Sequence, residues 1–563
     1  MTEPEPRPVD EIADAFVADY AALDPLAATY FGIPGHESEL TDLSPDGFAA
    51  RRDLAARSLA AMQDVEPTDD RGRAAKDAFV ERQSVALEQY DAGTTTSQVS
   101  IITSEAHSIR SVFDLMATST EEDWTNIDAR LAGIPAAVDD YRATLTRSAD
   151  HGDVSATRQI GLLAGQVRSW TGQEGNAGDF FSQLVARSEG IPASLRQRLD
   201  EHATAAAAAF AGFERFLSEE LAPRGRATEA VGRAAYIPES RNFLGAEIDL
   251  DETYAWGWDE LKRIEDEMVV VSDKIVAGGS VDDAVAALDA DPDRTLPGKE
   301  AFRDWMQQLA DETVVDMAGT HFDIPDPIRR IECCLAPTND GGIYYTGPSE
   351  DFERPGRMWW AVPDDQTSFS TWREVTTVYH EGVPGHHLQV AQTAYRRELL
   401  NRWQRLMCWV SGHGEGWALY AERLMEDLGY LDDPGNKLGM LDGQGLRAAR
   451  VIIDIGMHVE LPIPNDNPFG FHPGERWTGE LCLEFLRQHC RMEDAIIQYE
   501  VNRYLGWPGQ APSYKVGERI WLQARDEVRA RHGAAFDLKE FHRQALDLGS
   551  IGLDPLRAQL ARL

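Results

Sequence analysis

The sequence predicts a mainly α-helical fold with one small β-sheet, and three patterns support this prediction. Amphipathic helical patterns dominate residues 10–235, including the alanine-rich stretch Leu199–Leu217. A second helical block covers Glu252–Ile275, and helical patterns return in the last third of the chain. Between these blocks, residues 341–348 and 356–362 combine β-branched and aromatic residues between Gly and Pro, which predicts two short strands.

Breaks in the helical patterns divide the first region. Asp-rich and Gly-containing segments occur near residues 63–72, 149–154 and 174–178, and we expect helices to end there. The loop predicted around residues 277–282 follows the second block in the same way. No internal repeat interrupts this organisation.

Composition and charge exclude several classes of protein. The chain has 563 residues, 43% hydrophobic residues and a formal net charge of −41. It can bury a large core, and its negative field repels nucleic acids and anionic membranes, so we expect neither as a partner. No run approaches the roughly 18 apolar residues of a membrane helix. Residues 1–8 lack a secretory signal and the five cysteines lack C-x-x-C spacing, so we expect a cytoplasmic protein with reduced thiols.

The most informative segment is residues 380–387, His-Glu-Gly-Val-Pro-Gly-His-His. In the common H-E-x-x-H motif, two histidines one helical turn apart bind Zn²⁺, and the Glu beside the first activates a water molecule. Here the position four residues after His380 is Pro384, which cannot bind a metal. The segment therefore predicts a zinc-hydrolase site with His380 as a ligand, Glu381 as general base and an inserted break.

The break decides which histidine is the second ligand. On an unbroken helix His386 would point about 240° away from His380, and His387 would lie ~10 Å further along. Pro384 and Gly385 permit a bulge, because Pro removes a backbone donor and Gly tolerates unusual dihedrals. A bulge that absorbs two residues brings His386 to the ligand position, whereas His387 needs three. We favour His386 and keep His387 as the alternative ligand or as a supporting group.

A catalytic zinc needs a third protein ligand. Residues 411–422 contain two candidates, Glu415 and Glu422, which lie two helical turns apart on one face. We choose Glu415 because the glycines around it permit close backbone approach, and we expect Glu422 to orient a ligand histidine. His413 is a weaker rival. The nitrogen-rich ligand set favours Zn²⁺, although Mn²⁺ or Co²⁺ could substitute.

Five ordered motifs resemble those of one bacterial family. They are HEGVPGHHLQ, EGWALYAE, RAARVIIDIGMH, PGQAPSYKVG and FHRQALDLGS, and they cover roughly residues 240–563. The chain thus resembles the family catalogued as domain of unknown function 885, with a weaker helical resemblance before residue 240. The resemblance implies a zinc metallohydrolase related in logic to the gluzincins, whose third ligand is a helix-borne Glu.

Other polar residues are candidates for contact with a substrate. Hydrolysis of an amide creates an oxyanion that needs a donor, and Tyr514 and His458 are the best candidates for it. Arg450, one or two helical turns from Arg447, Asp454 and His458, belongs to a charged stripe on an otherwise apolar helix.

Two further residues are candidates for substrate binding. Arg503 could bind a carboxylate, although a surface ion pair is an equal alternative. Tyr345 lies in the first predicted strand, whose edge could pair with an extended substrate.

These observations together predict an enzyme. We expect residues 1–240 to form an N-terminal helical region and residues 241–563 a metal-binding catalytic region, packed as one zinc-peptidase-like body around a cleft or channel. The expected function is that of a zinc-dependent hydrolase, a metallopeptidase acting on short peptides. A hydrolase of another small amide or ester, or a non-catalytic binding protein on the same scaffold, remains the alternative.

Overall fold

The structure is a computed structural model that describes residues 7–173, 178–336, 342–349, 351–363 and 365–562. Helices dominate these residues and the strands are few and short, so the predicted mainly α fold with a small β component is confirmed.

The N-terminal part consists of helices joined by short connections. Its helices are α1 (Pro8–Leu23), α2 (Pro25–Tyr30), α3 (Pro45–Asp64), α4 (Asp70–Asp91), α5 (Thr94–Ser97), α6 (Glu105–Leu115), α7 (Glu121–His151), α8 (Thr157–Trp170), α9 (Phe180–Ala186) and α10 (Ala193–Arg215). A π-helical turn, Phe216–Leu221, continues the last of them.

The remaining helices come before and after the short strands along the chain. They are α11 (Arg233–Leu244), α12 (Leu250–Ile275), α13 (Val281–Asp289), α14 (Lys299–Met317), α15 (Glu374–Glu381), α16 (His386–Tyr395), α17 (Arg402–Leu406), α18 (Ser411–Asp427), α19 (Pro434–His458), α20 (Gly479–His489), α21 (Asp494–Gly506), α22 (Ser513–His532), α23 (Leu538–Leu546) and α24 (Leu553–Leu560).

Local sequence explains where several helices begin and end. At α7, Thr120 and Asp123 form a capping box that satisfies free backbone donors of the first turn. The same arrangement of Ser280 and Asp283 begins α13 at Val281, so the helix starts within the last residues of the predicted loop. The expected break near residues 63–72 separates α3 from α4, and that near 149–154 separates α7 from α8. Residues 174–177 of the third expected break lie outside the described residues.

Two small sheets precede the histidine-rich segment. The strands are β1 (Thr295–Pro297), β2 (Ile331–Leu335), β3 (Ile343–Thr346), β4 (Gly356–Trp360) and β5 (Ser368–Ser370). β4 is central in the three-stranded sheet, parallel to β2 and antiparallel to β3, while β1 and β5 form an antiparallel pair. The two predicted strands correspond to β3 and β4, although residue 341 lies outside the described residues.

The apolar side chains form two buried clusters. One is built mainly from α6–α10 and the π-helical turn that follows, with Trp124, Phe181 and Phe210 among its fully buried members. The larger one combines residues from Tyr236 onwards with residues of α1–α4, such as Phe79. The first N-terminal helices therefore pack into the same core as the histidine-rich segment. The predicted division at residue 240 stays a prediction.

Two expectations about environment can be compared with the fold. Among the described residues, no helix has both the length and the apolar character needed to cross a bilayer. All five cysteines are free thiols, and four of them are buried. Burial raises the pKa of Cys408 to about 12, which keeps that thiol protonated and unreactive.

Candidate metal centre

The histidine-rich segment is a helix that stops and starts again. α15 ends at Glu381 and α16 begins at His386, with residues 382–385 between them. A Cβ atom on Gly385 would lie 1.9 Å from the carbonyl oxygen of His380, so only glycine fits there. The indole of Trp417 on α18 donates a hydrogen bond of 2.9 Å to the carbonyl of Pro384. The break is thus built into the sequence and held from outside by α18.

The break brings two imidazoles to one carboxylate. Nε2 of His380 and Nε2 of His386 each lie 3.4 Å from Oε2 of Glu415. The two rings are perpendicular, with centroids 4.9 Å apart. One candidate ligand atom from each of His380, Glu381 and His386 also lies within 4.8 Å of the others. We call these four residues the His–Glu cluster.

Burial and charge set the electrostatics of the His–Glu cluster. His380, Glu381 and His386 are buried, whereas 17% of the Glu415 side chain is exposed. Burial acts to lower the pKa of His380, but the carboxylates of Glu415 and Glu422 outweigh it and raise this pKa to about 9. Burial has the opposite sign for Glu415, yet His386 and His380 hold the pKa of that carboxyl well below its usual range.

Glu422 supports His380 from the side away from Glu415. Its Oε1 accepts a hydrogen bond of 2.7 Å from Nδ1 of His380, which leaves Nε2 of the ring facing Glu415. Its Oε2 accepts a longer bond of 3.4 Å from the side-chain amide of Gln444 on α19. The two carboxylates of α18 therefore take different positions, as a ligand and an orienting group would.

Glu381 is the cluster member with an unused atom. Its side chain is buried and its Oε2 has no hydrogen-bond partner among the described residues. Burial raises the pKa of this carboxyl, and the neighbouring His386 and His380 act against that rise. The carboxylate is therefore a better proton acceptor than a solvated Glu.

The two rival histidines lie outside the His–Glu cluster. Nε2 of His387 bonds to the carbonyl of Ile328 at 2.6 Å, and its Nδ1 accepts from the hydroxyl of Tyr345 at 2.9 Å. Burial lowers the pKa of His387 to about 4. Nδ1 of His413 accepts from Gln389 at 2.9 Å, and burial lowers its pKa to about 3. Both are neutral histidines that join elements of the core.

Tyr345 is held between β4 and α16. Besides its bond to His387, its hydroxyl occupies the space beside Gly356, where a Cβ would lie 1.9 Å away. Burial raises the pKa of Tyr345. Through this residue the small sheet contacts the helix that carries His386, and the substrate contact proposed for Tyr345 stays a prediction.

Arg450 and Arg503 share one buried carboxylate. Arg450 donates to Oε2 of Glu500 and to the hydroxyl of Tyr504, both at 2.7 Å. Arg503 donates to Oε1 of Glu500 at 3.1 Å and to Gln510 at 2.7 Å. The guanidinium groups outweigh burial and lower the pKa of Glu500 to about 2. The charged stripe of α19 therefore faces a polar interior, and these two arginines already have partners there.

Tyr514 and His458 differ in whether their side chains already have hydrogen-bond partners. Tyr514 is half-buried, lies 4.8 Å beneath the Arg450 guanidinium, and its hydroxyl makes no hydrogen bond within the described residues. Nε2 of His458 is bonded to the carbonyl of Tyr504 at 2.9 Å, and burial lowers its pKa to about 4. No contact between described residues joins His458 to the His–Glu cluster.

The residues around the His–Glu cluster include several that sequence reasoning did not select. Gln444 and Trp417 make direct hydrogen bonds to its supports, and Lys515 holds the Gln444 carbonyl. Arg447 lies on α19 one turn after Gln444 and exerts an electrostatic pull on Glu381. Trp409, 48% exposed, lies with its ring centroid 6.1 Å from that of His386. In the sequence, the repeated three-residue spacing from Gln444 to Arg447 and from Arg447 to Arg450 is the pattern that could have indicated that these polar residues share one face of α19.

Comparisons with known proteins place the chain among proteins without an assigned activity. A family model described as "Bacterial protein of unknown function (DUF885)" matches residues 25–560. No curated protein matches the chain significantly.

Two solved structures are similar to the chain. A "putative lipoprotein" from Colwellia psychrerythraea has a TM-score of 0.83 and 22% identity, over 98% of this chain and 98% of that one. A "putative lipoprotein of unknown function" from Shewanella oneidensis has a TM-score of 0.75 and 18% identity, over 98% of this chain and 99% of that one. At these identities the likeness concerns the fold alone.

Proposed function

We propose that this chain, which belongs to the bacterial DUF885 family of unknown function, is a zinc-dependent hydrolase that cleaves short peptides with an activated water molecule. His380, His386 and Glu415 are the proposed ligands, and Glu381 is the proposed general base. The relationship to gluzincins that the motifs imply, with a helix-borne Glu as the third ligand, is part of this proposal.

One observation carries the proposal, namely the spacing of the donor atoms. Four ligands arranged tetrahedrally with bonds of ~2.0–2.1 Å are separated from each other by about 3.3–3.4 Å. The two His–Glu separations of 3.4 Å match edges of such a tetrahedron. At this separation the groups are also too far apart for strong hydrogen bonds to one another. An ion shared by all three accounts for both facts.

The donor set fits zinc chemically. Two imidazoles and one carboxylate form a common set for catalytic zinc, and the supporting Glu422 fixes His380 so that Nε2 faces Glu415. The unpartnered Oε2 of Glu381 beside this set is suited to bind a water molecule. A bound Zn²⁺ would supply Lewis-acid polarisation of water and of the substrate carbonyl.

The protein's own groups move the protons. Glu381 accepts a proton from the attacking water and delivers it to the amine as the C–N bond breaks, which yields a carboxylic acid and a free amine. The raised pKa that burial gives Glu381 suits both transfers. Tyr514, with its unbonded hydroxyl, is the better of the two proposed oxyanion donors, because His458 already uses Nε2 on a backbone carbonyl.

The small exposure of the His–Glu cluster favours small substrates. Only Glu415 has an appreciable exposed fraction, and a folded protein could not present a bond to such a site. We therefore infer a short peptide or another small amide as the substrate, reached through a narrow cleft.

Substitution of Glu381 by Gln tests the proposal. We expect Glu381→Gln to bind about one zinc per chain like the wild type, because the ligands are intact, and to lose at least 100-fold in kcat, because the general base is gone. Glu415→Gln should instead lose zinc. Metal analysis and hydrolysis of a panel of short peptides measure both effects.

A matched control separates these effects from loss of charge alone. Glu300→Gln makes the same chemical change at an exposed position on α14 and should leave zinc content and kcat unchanged. Wild-type protein that remains free of zinc when purified and supplied with it would overturn the proposal.

A further inference from the structure

Arg447 differs from Arg450 and Arg503 in having no carboxylate partner among the described residues. It lies on α19 and its Nη1 donates a hydrogen bond of 3.1 Å to the carbonyl of Gly443, one turn earlier on the same helix. Its Nε is buried without a partner. Among the described residues, no carboxylate oxygen lies within 4.0 Å of its guanidinium. One edge of the guanidinium therefore remains available to an anion.

The neighbouring guanidinium groups are not available in this way. Arg450, one turn later, is bonded to Glu500 and Tyr504, and Arg503 is bonded to Glu500 and Gln510. A substrate anion would have to break a buried ion pair to reach either of them, which is strongly unfavourable. Among these three arginines, Arg447 is the one that can bind an anion without breaking an ion pair.

The position of Arg447 places its charge beside the His–Glu cluster. Gln444, three residues earlier on the same face of α19, contacts Glu422, which in turn holds His380. Side chains three residues apart on a helix are neighbours. Arg447 also attracts both Glu381 and Glu422 electrostatically. Its free edge thus lies within the length of a small peptide from the proposed zinc.

The acidity of the chain makes a local cation necessary for an anionic substrate. A protein with a formal net charge of −41 repels anions unless a specific group binds them. Arginine is suited to that role because its planar fork can donate two parallel hydrogen bonds to a carboxylate.

We propose that Arg447 binds the free C-terminal carboxylate of a short peptide, and so selects substrates cleaved close to their carboxyl end. This inference rests on the proposed zinc hydrolase. It assigns to the same site a substrate class, peptides with an unblocked carboxyl terminus. A structural role for Arg447, as a charge that balances Glu381 and Glu422, would affect blocked and unblocked peptides equally.

The experiment compares matched pairs of peptides. A panel of N-acetylated di-, tri- and tetrapeptides is synthesised with a free C-terminal carboxylate and as the C-terminal amide. With the zinc-loaded wild type, we expect kcat/KM to be about ten to 100 times higher for the acid of each cleaved pair, the range for a charge-assisted hydrogen bond. In Arg447→Met this ratio should fall to near one, mainly through KM. Arg447→Lys should keep only part of this ratio, because the ammonium retains the positive charge but lacks the fork of the guanidinium.

Controls distinguish the possible outcomes. Arg519→Met removes an arginine that pairs with Glu252 near the surface, and it should keep the wild-type ratio. Equal hydrolysis of acids and amides by the wild type overturns the inference alone, even if Arg447→Met does not fold. An unchanged acid-to-amide ratio in a folded Arg447→Met also overturns it. A wild type with neither zinc nor hydrolysis overturns the proposed function, and this inference with it.

Discussion

Gln444 is the residue through which the interior of the protein acts on the proposed ligand His380. Its side-chain carbonyl accepts a hydrogen bond from Lys515, which is also held by Glu518 and lies 3.0 Å from Glu260. This contact fixes the orientation of the amide, so that its nitrogen donates to Glu422. Groups that orient a ligand histidine strengthen metal binding. Gln444 is therefore a positioning residue of the candidate metal centre.

Replacing Gln444 by Leu should weaken zinc binding without removing any ligand. The change leaves Lys515 with its two carboxylates but deprives Glu422 of a donor, and we expect a 10–100-fold rise in the Kd for zinc. Competition with a chelator of known affinity measures it. Gln159→Leu is the control, because Gln159 is also buried and bonded at both ends of its amide, but to the backbone of Ile101 and Asn502 rather than to a residue that orients His380. A similar loss of affinity in both variants would contradict the role of Gln444.

The helices α18 and α22 carry several of the residues that surround His380, and their backbones touch without side chains between them. α18 supplies Glu415 and Glu422, and α22 supplies Lys515. A Cβ on Gly416 would lie 2.4 Å from the backbone carbon of Gly517, so the two backbones are in direct contact. Glycine at this crossing is what lets the two helices approach so closely.

Gly416→Ala should therefore separate α18 from α22. An added methyl group in a fully packed contact costs about 1–3 kcal/mol, because neither backbone can move aside without disturbing its other contacts. We expect a lower melting temperature together with weaker zinc binding, since Glu415 precedes the substituted residue. Calorimetry and chelator competition measure the two effects.

An exposed glycine provides the matched control for that substitution. Gly161 lies in α8, and a Cβ there would meet nothing within 4 Å. Gly161→Ala should be neutral or slightly stabilising, by about 0.5–1 kcal/mol, because alanine is the better helix former. Equal melting temperatures for Gly416→Ala and the wild type would show that the helices do not need this close contact.

At the scale of the whole molecule, neutral histidines buried in the core tie stability to pH. His542 on α23 is bonded to Tyr420 at 2.7 Å and stacks on Phe322. Burial, with the charges of Arg525 and His321, lowers the pKa of His542 to about 3. The unfolded chain binds a proton near pH 6.5, whereas the folded chain does not. This contribution to stability is complete above pH 6.5 and is lost as the pH falls towards 3.

His542→Gln should make the protein less sensitive to acid. Between pH 7 and pH 4 the wild type should lose on the order of 2–3 kcal/mol more than the variant, because only the wild type must keep this imidazole unprotonated. Melting temperatures of the metal-free proteins across this range measure the difference. His151→Gln, at an exposed histidine, should follow the wild type. Parallel pH curves for all three proteins would contradict the role of His542.

The helical fold, the two neighbouring strands and the break after Glu381 follow from local patterns. A helix with Pro384 and Gly385 at its interruption could be predicted because both residues act on the backbone next to them. The strands β1, β2 and β5 were not predicted, since each is recognised as a strand only through its partner, and the pairs β1–β5 and β2–β4 join segments distant in sequence. The cytoplasmic location, the cleft and the substrate stay predictions.

By itself the sequence determined that the chain is helical, where its main helices end, and that His380 and His386 can share a side once the helix is interrupted. The tertiary structure decided which partner each polar group has. Glu422 bonds to Nδ1 of His380, whereas Glu415 faces its Nε2. His387 and His458 bond to backbone carbonyls. Arg447, unlike Arg450, has no carboxylate partner among the described residues. The physical reason is the distance along the chain over which each effect acts. Backbone conformation depends on neighbouring residues, whereas a buried hydrogen bond depends on which helices the packing brings into contact.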